Sequence, residues 1–465
     1  MLVVLIVQNE ENRGNELFAG NFADGGTLKR EDFKTYERSD IVKQYTSEIL
    51  PYDIGKINYT VRILLHLAEG VDSAYLEKAV QKAMTRYPYF SKQLIRQGEE
   101  YLIVDNKRPV AVYENKGETR TLNSAGVNFH MVSVDYSGNT LGFNASHILA
   151  GGCGLFEWIK TVLYCYLSEC YSVELKVEKI NLPGEDFVTG ERDFLDINKL
   201  PEVETIGLDR IPNGEMPMHE YVQAYTNGEK AYNGYYRFEF LQKDLMSKAK
   251  SSDASPATLL SALMFRMLYK AWPDKKLPIT GQLAHNYRSE VGCPNSTCDI
   301  VRQIRIPYPD KLADASLEKL CTISRGNVII QSQPENAIND GRKVFKRMAE
   351  VEKLKTLEEK VAYCQKHRTL ALEKTHSYNV SYTGQTQWGD MSQYIESGEI
   401  ITDGHIMLEV MSMDDKFYVT FQQVLKDTPY VDGFRKELEA ENIPYKVTGP
   451  FPKNLPLFEM PVNVE

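Results

Sequence analysis

One short stretch holds a histidine, a cysteine and three glycines: His147-Ile148-Leu149-Ala150-Gly151-Gly152-Cys153-Gly154. A neutral imidazole, with an ordinary pKa near 6.5, can take a proton from an alcohol or amine as it attacks a carbonyl. Such a general base contributes roughly 10²–10⁴-fold to a reaction. His147 is thus a candidate base, placed beside glycines where a small reacting group could approach it. Cys153, beside glycines and near a helix start, is a second candidate, a thiol whose pKa could fall far enough to make it a nucleophile. The plainer readings are a half-buried structural histidine and a small buried thiol.

The flanking sequence says what must position these groups. Leu141, Phe143, Ala145 and His147 alternate with Gly142, Asn144 and Ser146, the two-residue period of a strand. Gly151, Gly152 and Gly154 allow a tight reversal. Leu155, Trp158, Ile159, Val162, Leu163 and Tyr166 follow at helical spacing and predict a helix with one buried face. The stretch therefore predicts strand, glycine turn and helix, with His147 at the join.

The 465 residues exceed one ordinary core, so two domains of about 200 residues are expected. The composition, 42% hydrophobic and 25% charged, is that of a soluble globular chain. A net charge of -10 argues against nucleic acid as a partner. No apolar run reaches the ~18 residues of a membrane helix. Met1–Val7 is apolar but lacks the basic start and cleavage site of a signal peptide; it predicts a docking strand. The 7 cysteines lack the spacing of a disulfide framework or a zinc site, so no metal is expected and a reducing cytoplasm is the simplest location. The Asn-x-Ser/Thr sequons, among them Asn144 inside the predicted strand, are read as chance.

The polar residues 8 to 50 read as a mobile arm. A strand is expected over 57–67, and Asp72 then caps a helix whose apolar positions are Leu76, Ala79, Val80, Ala83, Met84 and Tyr87, ended by Pro88. Two strand-like runs fill 90–104, and 127–134 with 140–147 predict a hairpin turning across Asp135 to Asn139. Proline and glycine accumulate between 176 and 232, which places a domain junction near 225. Strands are expected over 234–241, 278–286 and 379–384, and a hairpin over 404–424. Ser255-Pro256 opens a helix, and 340–376 is helical with a break between Lys353 and Glu358. The basic run Arg342 to Lys355 alternates with acids and reads as a solvated helix face, though it could meet a CoA phosphate. The proline-rich tail from 444 is expected to pack late or not at all. The domains are thus an arm over 1–50, a first lobe over 51–225 and a second lobe over 226–465.

Ser146-His147-Ile148-Leu149-Ala150-Gly151-Gly152 resembles the His-His-x-x-x-Asp-Gly signature of the condensation-domain superfamily, which includes alcohol acetyltransferases and other CoA-dependent acyltransferases. His147 falls on the catalytic histidine and Gly152 on the final glycine, whereas Ser146 replaces the first histidine and Gly151 the aspartate. Val71-Asp72, Leu76, Ala79 and Arg86-Tyr87-Pro88 resemble the family's first helix, and Asn379, Ser381 and Gly384 its Asn-x-Ser-x-x-Gly strand. These matches run in order from about residue 51 to 445.

The resemblance implies an α+β fold, an α/β sandwich of two chloramphenicol-acetyltransferase-like lobes with a tunnel between them. It implies an acyltransferase with His147 as base and Gly152 near the oxyanion, and a tunnel touched by Ser146, Gly151, Cys153, His285, Arg288, Ser381, Tyr382 and Thr383. The co-substrate would be acyl-CoA or an acyl-carrier thioester, with no bound cofactor, and the partners a small-molecule acyl acceptor and an acyl carrier protein. In the family the motif aspartate pairs with an arginine of the second half. Arg288 matches that arginine and faces no aspartate at 151. The departures at 146 and 151 open a second reading, a non-catalytic relative that binds a carrier domain, an acyl ligand or a partner protein. A thiol enzyme using Cys153 is a third.

Overall fold

The structure is a computed structural model that describes residues 41–42, 59–191, 234–272, 275, 278–372, 376–404, 406–423 and 429–462. The Met1–Val7 strand, most of the expected arm and the junction near 225 lie outside the described residues. In chain order the strands are β1 (Ile41–Val42), β2 (Thr60–Leu67), β3 (Lys92–Gln97), β4 (Glu100–Asp105), β5 (Val112–Glu114), β6 (Val132–Ser137), β7 (Thr140–Ser146), β8 (Gly234–Leu241), β9 (Ile279–Asn286), β10 (Val301–Tyr308), β11 (Tyr378–Gln385), β12 (Ile395–Ile401), β13 (Ile406–Met413), β14 (Lys416–Gln423) and β15 (Lys446–Pro452). The helices are α1 (Ser73–Arg86), α2 (Gly152–Cys170), α3 (Gln242–Ser251), α4 (Pro256–Ala271), α5 (Leu317–Gln331), α6 (Pro334–Glu352), α7 (Leu357–Leu372) and α8 (Pro429–Ala440).

The first lobe is a five-stranded sheet ordered β12-β2-β7-β6-β5 with α1 and α2 on one face. Asp72 caps α1 by accepting from the N–H groups of Ala74 and Tyr75, and Pro88 follows its last turn. The helix buries Leu76, Ala79, Val80, Ala83 and Met84, the apolar face that its spacing predicts. Leu141, Phe143 and Ala145 of β7 point to the same core and meet Leu155, Trp158, Ile159, Val162 and Leu163 of α2. Trp158 stands edge-on to Phe143 and Phe90, with centroids 5.7 and 6.0 Å away. Residues 125–127 form a 3-10 turn, so the hairpin strand begins at Val132, and the reversal falls on Gly138 and Asn139 rather than from Asp135 onward.

The second lobe is a seven-stranded sheet ordered β10-β9-β11-β13-β14-β8-β15. Its core joins α4, α5 and α8 to the sheet face that carries Phe238, Leu283, Val380, Leu408, Val410 and Val419. β11 runs parallel to β9 and β13 at the centre of the sheet. Ser255 and Thr258 close a capping box at the start of α4.

Among the described residues, β12 ties the lobes in two ways. β12 comes from the second half of the chain but pairs antiparallel with β2, so it forms an edge of the first sheet. Arg237 of β8 donates to Glu399 of β12 at 2.6 Å, and Glu399 bonds His66 of β2 at 2.6 Å. The tail corrects its expectation of late or absent packing. β15 pairs with β8, the Leu122 N–H donates to the Leu457 carbonyl at 2.8 Å, and Thr60 Oγ1 donates to the Pro456 carbonyl at 2.8 Å. The pairing of β1 with β4 likewise places residues 41–42 of the expected arm on a sheet edge.

Candidate functional site

His147 is the first residue after β7, half-buried, with its backbone N–H donating to the Tyr59 carbonyl at 2.9 Å. Ser146 is fully buried in the sheet, its N–H donating to the Met131 carbonyl, so it forms part of the support beneath His147. Gly151 is the N-cap residue of α2 and has no side chain to cap it. The first N–H groups of α2 therefore point out of the helix end with no side-chain cap.

The three glycines do not act through backbone freedom. Gly151 has φ -75°, ordinary extended backbone, and Gly152 and Gly154 lie in the helix. Their role is close approach. A Cβ on Gly154 would stand 2.3 Å from the Thr297 carbonyl oxygen, and a Cβ on Gly151 would stand 2.9 Å from Asp299 Oδ1 and 3.2 Å from Asp299 Cα. The start of α2 is thus pressed against a second-lobe segment, Thr297 to Asp299, that precedes β10. On its other side, a Cβ on Gly152 would meet Thr383 Cγ2 of β11 at 3.3 Å. Two pieces of the second lobe close on the two ends of the Gly151-Gly152 pair.

Asp299 also lies here, a residue that no local sequence pattern marks. It is 3% exposed, and its Oδ1 accepts no hydrogen bond among the described residues. Burial pushes its carboxyl up, while His147, Arg288 and Arg302 draw it down electrostatically. Arg288 is buried beside it and donates from a guanidinium nitrogen to the Cys298 carbonyl at 2.7 Å. The arginine matched from sequence therefore does have a carboxylate in its field, carried by 299 and not by 151. Glu157 of α2 is a second carboxyl in this region, and burial pushes it up to about 7 with Arg288 pulling the other way.

The remaining expected residues divide by sheet face. Ser381 and Thr383 of β11 alternate with Val380 and Tyr382. Thr383 reaches Gly152, and Ser381 shares a hydrogen bond with Glu409 of β13, whose buried carboxyl is pushed up to about 7 by desolvation. Tyr382 packs against the second-lobe core with its ring 5.9 Å from Phe417, on the opposite face from Ser381. His285 shares the face of Leu283, pairs with Glu290 at 3.4 Å and stands edge-on to Tyr287. Its neighbour Asn286, on the alternate face of β9, is the residue that reaches the motif, with its amide nitrogen 3.9 Å from Cys153 Sγ. Asn286 also accepts from the Arg288 N–H at 3.1 Å.

A buried ion pair braces this assembly from the first lobe. Arg86, in the Arg86-Tyr87-Pro88 motif, makes a two-pronged contact with Glu191 at 2.8 and 2.6 Å, and Tyr89 donates to the same carboxylate. The Glu191 carbonyl in turn accepts from the Thr297 N–H at 2.9 Å. The segment that presses on Gly154 and Gly151 is thereby anchored to α1. Among the described residues no cluster of His, Cys, Asp and Glu could hold a metal ion, and no helix is long and apolar enough to cross a membrane.

No family model and no curated protein matches the sequence. Solved structures do match its fold. The trichothecene 15-O-acetyltransferase TRI3 from Fusarium sporotrichioides aligns with a TM-score of 0.55 and 11% identity over 88% of this chain and 97% of its own. F. graminearum TRI101, solved with coenzyme A and T-2 mycotoxin, aligns at 0.52 and 11% over 87% and 99%. The first condensation domain of the CDA synthetase aligns at 0.52 and 9% over 85% and 94%. The chain has the two-lobed α+β fold of CoA-dependent acyltransferases and condensation domains.

Proposed function

We propose that this chain transfers an acyl group from a thioester of CoA or of a carrier protein to an alcohol or amine, with His147 as general base. The observation that carries this reading is the half-buried imidazole at the end of β7, set before an uncapped helix start and within the field of a buried carboxylate. In support, His147 Nδ1 is buried and makes no hydrogen bond among the described residues.

In the proposed reaction the imidazole takes the proton of the acceptor's O–H or N–H as that atom bonds to the thioester carbonyl carbon. The carbonyl oxygen becomes an oxyanion and accepts from the N–H of Gly152 at the start of α2, whose dipole favours negative charge there. Collapse of the tetrahedral adduct breaks the C–S bond, and the imidazolium returns its proton to the leaving thiolate. The products are ester or amide and free thiol, with no net proton change. Thr383 closes the far side of Gly152 and supports a role in shaping the space for the acyl group. The fold neighbours solved with coenzyme A support CoA as the first donor to try.

The test is thiol release from a panel of acyl-CoAs, with and without small alcohols and amines, for the wild type and His147→Ala. Turnover that disappears in the variant supports the reading. Equal turnover in both removes His147 as the base.

A further inference from the structure

We propose that Asp299, from the second lobe, is the positioning carboxylate for His147, occupying the space that a side chain at residue 151 would fill. The proposal rests on the reading of His147 as the base and adds the group that orients it.

Three observations converge. The first is spatial. A Cβ on Gly151 would lie within 3.4 Å of the Cα, Cβ and Oδ1 of Asp299, so a side chain at 151 and the aspartate at 299 compete for one place. The second is a set of unmet hydrogen bonds. His147 Nδ1, Asp299 Oδ1 and Arg288 Nε are all buried and all lack a partner among the described residues. Scattered orphans would be unrelated defects, but His147 and Arg288 both act electrostatically on Asp299. Two buried donors and the acceptor they act on thus have their bonds unmade, as in an active site whose hydrogen bonds tighten only when substrate is bound. The third is burial. A carboxylate that is 3% exposed is costly to hold, and burial pushes Asp299 up, with His147, Arg288 and Arg302 among the groups that draw it back down.

The chemistry follows. An Asp299 carboxylate that accepts from Nδ1–H leaves Nε2 bare, which is the tautomer that can accept the substrate's proton, and it stabilises the imidazolium once formed. Asp299 touches no reacting atom and is a positioning residue. Because it stands on the second lobe and His147 on the first, the base is oriented only while the lobes hold their contact through Thr297 to Asp299.

The experiment combines turnover with a readout that needs no substrate. Protein labelled with ¹⁵N-histidine carries 8 imidazoles, and the His147 pair of ring signals is the one missing from His147→Gln. At alkaline pH the wild type is expected to show mainly the Nδ1–H tautomer. In Asp299→Asn the amide turns its oxygen toward Arg288 and its NH₂ toward the ring, so the Nε2–H form grows. Its kcat for thiol release is expected to fall on the order of 100-fold with little change in KM. The double variant Gly151→Asp with Asp299→Gly moves the carboxylate to the other side of the same contact, and is expected to recover about 10-fold or more of that loss and the wild-type tautomer. An unchanged tautomer in folded Asp299→Asn overturns the proposal, as does a double variant that folds and recovers neither tautomer nor rate. If His147→Ala retains full turnover while Asp299→Asn still shifts the tautomer, the pairing stands and the catalytic reading falls. If His147→Ala is inactive and Asp299→Asn is wild-type in both readouts, only the pairing falls.

Discussion

Asp299 Oδ1 lies 2.9 Å from the point where a Cβ on Gly151 would stand. A side chain at 151 and the Asp299 carboxylate therefore compete for one place. The resemblance to His-His-x-x-x-Asp-Gly breaks at the position against which Asp299 packs.

The glycines of the loop should separate by what they touch. Gly154→Ala drives a methyl against the Thr297 carbonyl at 2.3 Å, a backbone atom that α2 cannot avoid. We expect it to cost about 1–3 kcal/mol, read as a lower midpoint in denaturant unfolding. Gly152→Ala meets only Thr383 Cγ2 at 3.3 Å and should keep the midpoint within about 1 kcal/mol. Its effect should fall on turnover, because the methyl fills the space between the start of α2 and Thr383 of β11.

Glu191 should be essential to stability. Burial acts to raise its pKa, but the bonds from Arg86, Tyr89 and the Val188 N–H outweigh that and hold the carboxyl below its ordinary range. A depressed carboxyl contributes stability above the unfolded pKa and loses it as pH falls through the folded one. Glu191→Gln leaves the buried Arg86 unpaired and should cost about 3–5 kcal/mol near neutral pH, with the gap closing in acid. Unfolding midpoints of both proteins across pH check this.

Glu409 should behave in the opposite sense. Desolvation pushes its carboxyl from the ordinary 4.5 up to about 7, against the bonds from Ser381 and Thr402. Between those values the folded state holds a proton that the unfolded chain has released, so stability falls as pH rises through this window and is level above it. Glu409→Gln removes the penalty. It should be more stable than the wild type above neutral pH by on the order of 2 kcal/mol, with no advantage in acid. Parallel thermal scans of the two proteins at several pH values read the difference directly.

Much of the fold was legible because its signals are local. The Asp72 cap, the Ser255-Pro256 start, the break after Lys353 and the two-residue period of β7 are each set by residues within one or two turns. What escaped was long-range. Nothing near Asp299 marks it, since its meaning comes from Gly151, 148 positions earlier. The place of β12 in the first sheet is decided by pairing with β2, a contact invisible to periodicity. The sheet faces of His285 and Tyr382 were not legible either. In a strand one residue is the difference between faces, and the end of β9 gave no alternation to fix which face was which. The tail looked unstructured because its prolines suppress strand propensity, yet β15 is an edge strand, where a proline's missing N–H is tolerated.

Thiol release from acyl-CoA by wild type, His147→Ala and Cys153→Ser reads whether His147 performs proton transfer in an acyl transfer. Acceptor-dependent release by the wild type, a loss on the order of 100-fold or more in His147→Ala, and near wild-type rates in Cys153→Ser are the expected results if it does. Release that survives in His147→Ala but vanishes in Cys153→Ser would contradict it, since the thiol would then be the group that attacks the acyl carbon.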